Sequence, residues 1–296
     1  MQRPAHSPGV NRIVLDAGGL SLSALMAEPA GEPHAVLVAL HGAGMTSGYF
    51  DGQAHPGQSL LTLGASLGYT VLALDRPGYG LSAGQLPGGQ NLADQALALR
   101  AALADFSSRC AVGAGIVLLG HSFGGKLALT AAAQGVHERL LGLDISGSGH
   151  RYAVSPRQVP PSATRRLHWG PLRLYPPGTF TASASVVAPV PVRERTELEQ
   201  WPLSFPSVAA RVRVPVRLTF AEHEAWWRHD EEAVAELSAC FAVPRLVVDR
   251  LPGAGHNISL GRAARTYHLR VLAFVEECLS ADALPVGAGA PSTAVA

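Results

Sequence analysis

Six short stretches of the chain are predominantly apolar, and they constrain the fold more than any other feature of the sequence. They are residues 35–40, 70–74, 116–119, 140–145, 214–220 and 246–248. A strand with one face in water alternates apolar and polar residues, whereas a strand covered on both faces is apolar throughout, as in a parallel sheet. Segments with helical spacing lie between several of these runs. The pattern therefore predicts an α/β fold around a mostly parallel sheet.

Further elements agree with this prediction. Residues 12–17 and 20–27 alternate like the two arms of a hairpin. Asn91, with an acidic residue three positions later, is typical of a helix start, and apolar residues then recur at helical spacing. Asp230 precedes another helical segment, and residues 267–278 mark the last one.

Two segments interrupt the alternation of strands and helices. Residues 151–213 are rich in proline, arginine and serine and show no clear periodicity. A long stretch of this kind between two core strands is usually functional, which predicts an inserted lid. Residues 281–296 are rich in Gly, Ala, Pro, Ser and Thr, and we predict a disordered tail there. The rest, residues 1–280, is expected to form a single domain.

The composition of the chain limits which kinds of partner the protein can bind and in which cellular compartment we expect it. The net charge of +1 gives no field that would attract nucleic acid or an anionic membrane surface. No apolar stretch reaches the length of a membrane span, and the first residues lack the apolar core of a secretion signal. The three cysteines show neither disulfide nor metal-ligand spacing. We therefore expect a cytoplasmic protein with a small-molecule substrate, no metal and no cofactor.

Ser122 is the strongest candidate for chemistry. It is the centre of the pentapeptide G-H-S-F-G at residues 120–124, which follows the apolar run 116–119 and precedes a helical stretch at 126–134. A serine at so sharp a strand-to-helix turn is held in strained geometry, with its hydroxyl exposed above the edge of the sheet. The structural alternative is a glycine-rich turn whose serine caps the next helix.

A serine hydroxyl needs a base to act as a nucleophile, and the base needs an orienting carboxylate. His256 is the candidate base, because it follows the run 246–248 in a glycine-containing loop and precedes the last helix. The residues leave three choices for the acid. Glu222 and Glu224 follow the run 214–220, and Asp144 lies near the end of an earlier strand.

Together these motifs resemble the α/β-hydrolase superfamily, whose triad follows the order Ser, acid, His. Besides the pentapeptide, H-G-A-G at residues 41–44 matches the family's oxyanion loop, D-R-P-G-Y-G-L-S at 75–82 matches D-x-x-G-x-G-x-S, and Gly255-His256 matches the histidine loop. The resemblance runs from about residue 12 to residue 279. It implies an eight-stranded, mostly parallel sheet flanked by helices, with residues 151–213 as the lid.

The resemblance also implies roles for individual residues. The family's acid stands in a context like G-x-x-D, and here Ala221 replaces the glycine, which places Glu224 on the acid ahead of Glu222 and Asp144. The oxyanion donors would be the N–H groups of Phe123 and Ala43, with Gly44 as the alternative to Ala43. The His41 side chain would shape the oxyanion loop, and the loop at Asp75 would brace the neighbourhood of the site, rather than take part in the reaction.

The expected activity is that of a serine hydrolase that cleaves an ester, thioester or lactone through an acyl-enzyme on Ser122. One alternative is a lyase, cyclase, epimerase or acyltransferase that uses the same site, since one fold supports many chemistries. Another is a catalytically silent binding protein. Trp226, Trp227 and the aromatic residues of 151–213 fit either a pocket wall or ordinary packing.

Overall fold

A computed structural model describes residues 6–283. Its centre is one eight-stranded sheet with the strand order β1-β2-β4-β3-β5-β6-β7-β8. The strands are β1 (Asn11–Asp16), β2 (Ser21–Ala27), β3 (Val36–Leu40), β4 (Thr70–Leu74), β5 (Ile116–His121), β6 (Leu140–Ser146), β7 (Val216–His223) and β8 (Leu246–Gly255). Strand β2 pairs antiparallel with β1 and β4, and all other pairs are parallel. The predicted α/β sheet is thus confirmed.

Helices cover both faces of this sheet. They are α1 (Leu60–Ser66), α2 (Leu92–Arg109), α3 (Phe123–Ala133), α4 (Pro161–Trp169), α5 (Thr179–Ala182), α6 (Val192–Ala209), α7 (Glu231–Ala239) and α8 (Ala264–Ala283). Helices α2, α3, α6 and α7 contribute to one hydrophobic core. Helices α1 and α8 contribute to a second core on the other face.

Strand β3 shows why the central runs are apolar throughout. Val36, Val38 and Leu40 belong to the first core, whereas Leu37 and Ala39 belong to the second. Because successive side chains of a strand point to opposite faces, a strand between two cores needs an apolar residue at every position. All five side chains are fully buried.

The segment 151–213 contains three α-helices and three short 3-10 helices, although its sequence shows no clear periodicity. The longest is α6, in which Trp201, Phe205 and Val208 recur at helical spacing and are buried in the first core. Pro202 and Pro206 lie inside the same helix and mask this pattern in the sequence. The interpretation of the segment as an inserted lid stays a prediction.

Both ends of the described chain bear on the sequence predictions. Residues 281–283 form the end of α8, so the helix continues slightly past the predicted domain boundary. The rest of the predicted tail, residues 284–296, lies outside the described residues. In the part of the chain that the structure describes, no helix has the length and apolar character needed to cross a membrane.

The loops that follow β3, β4, β5, β7 and β8 meet at one edge of the sheet, because parallel strands end on the same side. Strands β7 and β8 are longer than the runs predicted from the sequence, and they reach His223 and Gly255. The extension brings their final residues to the edge where β5 ends at His121.

Candidate active site

Ser122 occupies the turn between β5 and α3 with φ 54° and ψ −113°. It is the one residue other than glycine with a positive φ among residues 6–283. This backbone region is unfavourable for a residue with a Cβ, and such strain persists only where the surrounding structure imposes it. The turn exposes the start of α3, whose first N–H groups have no partner within the helix.

The glycines of the pentapeptide are required by close packing of the backbone. A Cβ on Gly120 would lie 2.6 Å from the carbonyl oxygen of Gly124. A Cβ on Gly124 would overlap the carbonyl oxygen of Leu40 at the end of β3. The turn can therefore form only with glycine at both positions.

Ser122, His256 and Glu224 lie in one hydrogen-bonded row. The Ser122 hydroxyl is 3.2 Å from Nε2 of His256, and Nδ1 of His256 is 2.8 Å from Oε2 of Glu224. The second carboxylate oxygen of Glu224 accepts a hydrogen bond of 2.9 Å from the N–H of Trp226. The side chains of His256 and Glu224 are buried, so solvent competes little with these bonds.

The electrostatics keep Glu224 in its ionised form. Burial alone raises the pKa of this carboxyl, but the adjacent His256 and the N–H of Trp226 outweigh it and hold the pKa below its ordinary value. An ionised carboxylate at this position can hold the His256 ring and stabilise its cation.

Neither alternative acid contacts His256. Glu222 is an exposed residue of β7, and its carboxylate accepts a hydrogen bond of 2.7 Å from the N–H of Gly253. Asp144 is fully buried, and it binds Arg217 at 2.6 Å and the hydroxyl of Tyr267 at 3.1 Å. Both carboxylates therefore have structural partners of their own.

The loop after β3 passes directly in front of Ser122. A Cβ on Gly42 would lie 3.1 Å from the Cβ of Ser122, so the loop and the nucleophile candidate are in contact. Within the described residues, the N–H groups of Ala43 and Phe123 donate to no acceptor. The N–H of Gly44 instead donates to the Tyr79 hydroxyl at 3.0 Å. Ala43 and Phe123 thus offer free donors beside Ser122, and Gly44 does not.

Hydrogen bonds between buried polar groups hold the loop at residues 41–44 in place on the side away from Ser122. His41 donates from Nδ1 to the carbonyl of Gly42 at 2.8 Å and accepts at Nε2 from the N–H of Arg76 at 3.1 Å. Burial and the nearby Arg76 guanidinium lower the pKa of His41 well below its usual value, so the ring is neutral. Both ring nitrogens are used within the loop, which leaves His41 a structural role.

A carboxylate from the segment 151–213 completes this support. Glu194 of α6 binds Arg76 through two bonds of 2.5 and 3.2 Å and accepts a bond of 2.8 Å from the Tyr79 hydroxyl. Arg76 in turn donates to the carbonyl of His41 at 2.8 Å. No local sequence signal identifies Glu194 as part of the site, since its partners lie far away in the chain.

Asp75 supports the neighbouring loop. Its carboxylate accepts bonds of 2.6 Å from the N–H of Ser47 and of 2.6 Å from the hydroxyl of Ser23. The loop that contains it therefore ties β4 to β2 and to the short 3-10 helix Ser47–Phe50.

A cavity of about 470 Å³ opens in front of Ser122. Ala43, Trp226 and Trp227 line it together with Ser122 and nine further residues. Those nine include Lys126, Tyr152, His168, Arg195 and Leu198. All but Lys126 come from the segment 151–213, which therefore forms much of the cavity wall.

His168 of α4 brings a further titratable ring to the site. Its Nδ1 accepts a bond of 3.3 Å from the indole N–H of Trp226, and its ring centre lies 5.6 Å from that of His256. Burial, together with the neighbouring His256, lowers the pKa of His168 to about 3, so it is neutral. A neutral ring there shields His256 from water without adding charge.

Other features of the structure lie apart from this chemistry. A second cavity, of about 290 Å³, lies beside Asp75 and contains neither Ser122 nor His256. Across residues 6–283, no three His, Cys, Asp or Glu side chains cluster in a way that would hold a metal ion.

A sequence model of the alpha/beta hydrolase family matches residues 36–268. The chain belongs to the α/β-hydrolase family. No curated protein matches this α/β-hydrolase in sequence. The family and fold expected from the motifs are confirmed.

Solved structures resemble this α/β-hydrolase over nearly its whole length. A highly thermostable carboxyl esterase from Bacillus coagulans has a TM-score of 0.67 at 15% identity, with 92% of this chain and 100% of that chain covered. A monoglyceride lipase from Saccharomyces cerevisiae has a TM-score of 0.67 at 16% identity, covering 94% and 98%. A thioesterase domain from the curacin biosynthetic pathway has a TM-score of 0.61 at 16% identity, covering 89% and 99%. At such identities the likeness shows the fold alone.

Proposed function

We propose that this protein is a serine hydrolase that cleaves a carboxylic ester, thioester or lactone through an acyl-enzyme on Ser122. The observation that carries the proposal is the unbroken row from Ser122 through His256 to Glu224, at a strained turn that faces a cavity. Strain of this kind concentrates at functional sites.

In the first half of the reaction, the Ser122 hydroxyl attacks the substrate carbonyl while His256 takes its proton at Nε2. Glu224 holds the ring through Nδ1 and stabilises the positive charge that develops on it. The carbonyl oxygen becomes an oxyanion between the N–H groups of Ala43 and Phe123. Each such donor typically contributes about 3 kcal/mol to transition-state stabilisation.

The first intermediate then collapses: the bond to the leaving alcohol or thiol breaks, His256 delivers its proton to that group, and the acyl group stays bound to Ser122. In the second half, a water molecule attacks the acyl carbonyl and gives its proton to His256. The same two N–H groups stabilise the second oxyanion. Collapse of this intermediate releases the acid and restores the Ser122 hydroxyl.

The structural neighbours support ester and thioester substrates. They include a carboxyl esterase, a monoglyceride lipase and a thioesterase domain. Esters and thioesters pass through the same kind of tetrahedral intermediate, so one arrangement of donors serves both. A cavity of about 470 Å³ lies within the range of small-molecule sites.

The test combines active-site labelling with turnover. A fluorophosphonate should label the protein on Ser122, as mapped by peptide mass spectrometry, and the protein should hydrolyse a short p-nitrophenyl ester or an acyl thioester. Ser122→Ala should abolish both signals. Ser108→Ala, which removes an exposed hydroxyl on α2, is the control and should keep both.

Different failures have different meanings. Labelling without hydrolysis of any ester, thioester or lactone would contradict a hydrolase and favour a lyase, cyclase, epimerase or acyltransferase. Absence of both labelling and turnover would contradict an active serine nucleophile and favour a binding protein.

A further inference from the structure

Lys126 is the only lysine in a chain that has 23 lysine and arginine residues. It lies on α3, one turn after Ser122, and only 1% of its surface is exposed. A lysine is rarely buried to this degree unless it is paired with an acid. Its environment therefore needs an explanation that the proposed acyl-transfer chemistry does not supply.

Aromatic side chains surround the ammonium group. Nζ lies between 5.1 and 5.8 Å from the ring centres of four residues. These are Phe123, Tyr152, Trp201 and Trp227. Ring faces attract a cation, so this cage lowers the cost of placing a charge there.

The hydrogen bonds of Lys126 are incomplete. An ammonium group has three donors, and one of them reaches the Tyr152 hydroxyl at 2.9 Å. That hydroxyl donates onward to the carbonyl of Leu198 at 2.9 Å. Among residues 6–283, Nζ has no other hydrogen-bond acceptor and no carboxylate oxygen within 4.0 Å. Buried donors without acceptors are costly and are normally satisfied.

The nearest acids do not neutralise this charge. Glu194 and Glu197 of α6 influence Lys126 only at longer range. Glu194 is already bound to Arg76 and to Tyr79. Glu197 is half-buried and forms no ion pair with Lys126 within 4.0 Å.

The cavity in front of Ser122 also has an excess of positive charge in its wall. Lys126 lines it from the core side, and Arg195, an exposed residue of α6, lines it from the segment 151–213. No aspartate or glutamate lines this cavity among the residues that the structure describes. The wall therefore has two basic side chains and no acidic one beside the nucleophile candidate.

We propose that Lys126, together with Arg195, binds an anionic group of the substrate, so that the preferred ester or thioester carries a carboxylate. The inference rests on the proposed function, because it assigns the substrate class of the same cavity. An anion supplies the acceptors that the ammonium group lacks, and it adds the charge that the cavity wall lacks. The enzyme should therefore prefer an anionic ester over a neutral ester of the same size, since a neutral substrate leaves the buried N–H donors of Lys126 unpaired.

The single lysine allows a direct test by NMR. Protein made with lysine labelled with ¹³C at Cε gives one lysine side-chain signal, and Ser122→Ala prevents turnover. Monomethyl glutarate should shift this signal and raise its titration midpoint by one pH unit or more, whereas methyl pentanoate should do neither. An unchanged signal and midpoint with saturating monomethyl glutarate would overturn the proposal and leave Lys126 a structural residue.

Turnover provides the second readout. The ratio of kcat/KM for monomethyl glutarate to that for methyl pentanoate should fall at least tenfold in Lys126→Met. Arg211→Met, which removes an exposed charge beyond the far end of α6, should leave the ratio unchanged. An equal ratio in the Lys126 variant and the unsubstituted protein would contradict the proposal.

The two readouts separate the possible failures. If neither ester is hydrolysed and fluorophosphonate does not label Ser122, the proposed function fails, and the NMR titration still decides whether Lys126 binds anions. If both esters are hydrolysed without preference and the NMR signal does not respond, only the anion site fails. The NMR test needs no substitution of Lys126, so it remains decisive if Lys126→Met does not fold.

Discussion

Glu194 and Arg76 form a fully buried ion pair, although they are 118 positions apart in the chain. The pair joins α6 to the loop in front of Ser122, because Arg76 also donates to the carbonyls of His41 and Gly42. Glu194 additionally accepts a bond from Tyr79, whose hydroxyl accepts the N–H of Gly44. One carboxylate of the segment 151–213 thus positions both ends of the proposed oxyanion loop.

Glu194→Gln is therefore expected to reduce catalysis more than substrate binding. The neutral amide keeps the size of the side chain but leaves the Arg76 guanidinium buried without a counter-charge, which costs about 3–5 kcal/mol of stability. We expect kcat to fall at least tenfold with a smaller change in KM, because the loop donors act mainly in the transition state. Steady-state kinetics on a p-nitrophenyl ester, together with urea unfolding, measures both effects.

The control for this variant is Glu199→Gln on the same helix. Glu199 pairs with Arg157 at the surface, and exposed pairs contribute little, so neither kcat nor stability should change noticeably. An unchanged kcat in folded Glu194→Gln would show that the ion pair supports the fold and not the position of the loop.

A matched pair of substitutions tests the acid. Glu224→Gln should lower kcat/KM by about 10³–10⁴, because the amide no longer stabilises the cation of His256 or fixes its tautomer. Glu222→Gln should have little effect, since Glu222 is exposed near the end of β7 and its carboxylate binds the N–H of Gly253. Ester hydrolysis by the two variants checks the assignment. A larger loss in Glu222→Gln than in Glu224→Gln would reverse it.

The fold could be predicted from the sequence because each central strand is buried on both faces and is therefore apolar along its whole length. Val36, Leu37 and Val38 are apolar in succession because the first and third face one core and the second faces the other. Ser122 was equally accessible, since its strand, turn and helix are contiguous. The ends of β7 and β8 were not, because polar residues such as Glu222 stand in strand positions that face solvent.

The residues that line the site or support its loops could largely not be identified from the sequence. Glu194 and Lys126 are buried, yet a charged residue in a helix looks the same in sequence whether it faces water or the core. Their roles depend on partners that are distant in the chain, such as Arg76 for Glu194 and Tyr152 for Lys126. Pro202 in α6 further disguised the helix that contains Glu194.

The strained backbone at Ser122 should be measurable as lost stability. Ser122→Gly and Ser122→Ala both remove the hydroxyl, but only alanine keeps a Cβ at φ 54°. Glycine adopts positive φ without a steric penalty, although it also makes the unfolded chain more flexible. Strain at such positions is about 1–3 kcal/mol, so the glycine variant should be the more stable by about 1 kcal/mol. Urea unfolding of both variants decides this, and a more stable alanine variant would contradict it.

Lys126 should make stability depend on pH in the alkaline range. Burial lowers the pKa of Lys126 to about 7, with Glu194 and Glu197 opposing the shift, whereas an unfolded lysine titrates near 10.4. Between these values the unfolded chain binds the proton that the folded protein has lost. The contribution of Lys126 to stability therefore rises with pH, by up to about 1.4 kcal/mol per unit. The destabilising effect of the buried ammonium is fully present below pH 7 and is relieved as the pH rises.

Comparison with Lys126→Met between about pH 7.5 and 9.5 isolates this effect, because unperturbed histidines titrate below the window and tyrosines above it. The three cysteines, whose thiol pKa values burial raises in the folded protein, oppose the rise equally in both proteins. Urea unfolding across the window should give a steeper rise of the unfolding free energy for the unsubstituted protein than for Lys126→Met, by about 1 kcal/mol per pH unit. In Ser122→Ala, which cannot turn over the ester, saturating monomethyl glutarate should make this slope less positive, since a bound anion keeps Lys126 protonated to higher pH. Equal slopes for the unsubstituted protein and Lys126→Met would mean that the folded protein keeps this lysine charged throughout the window.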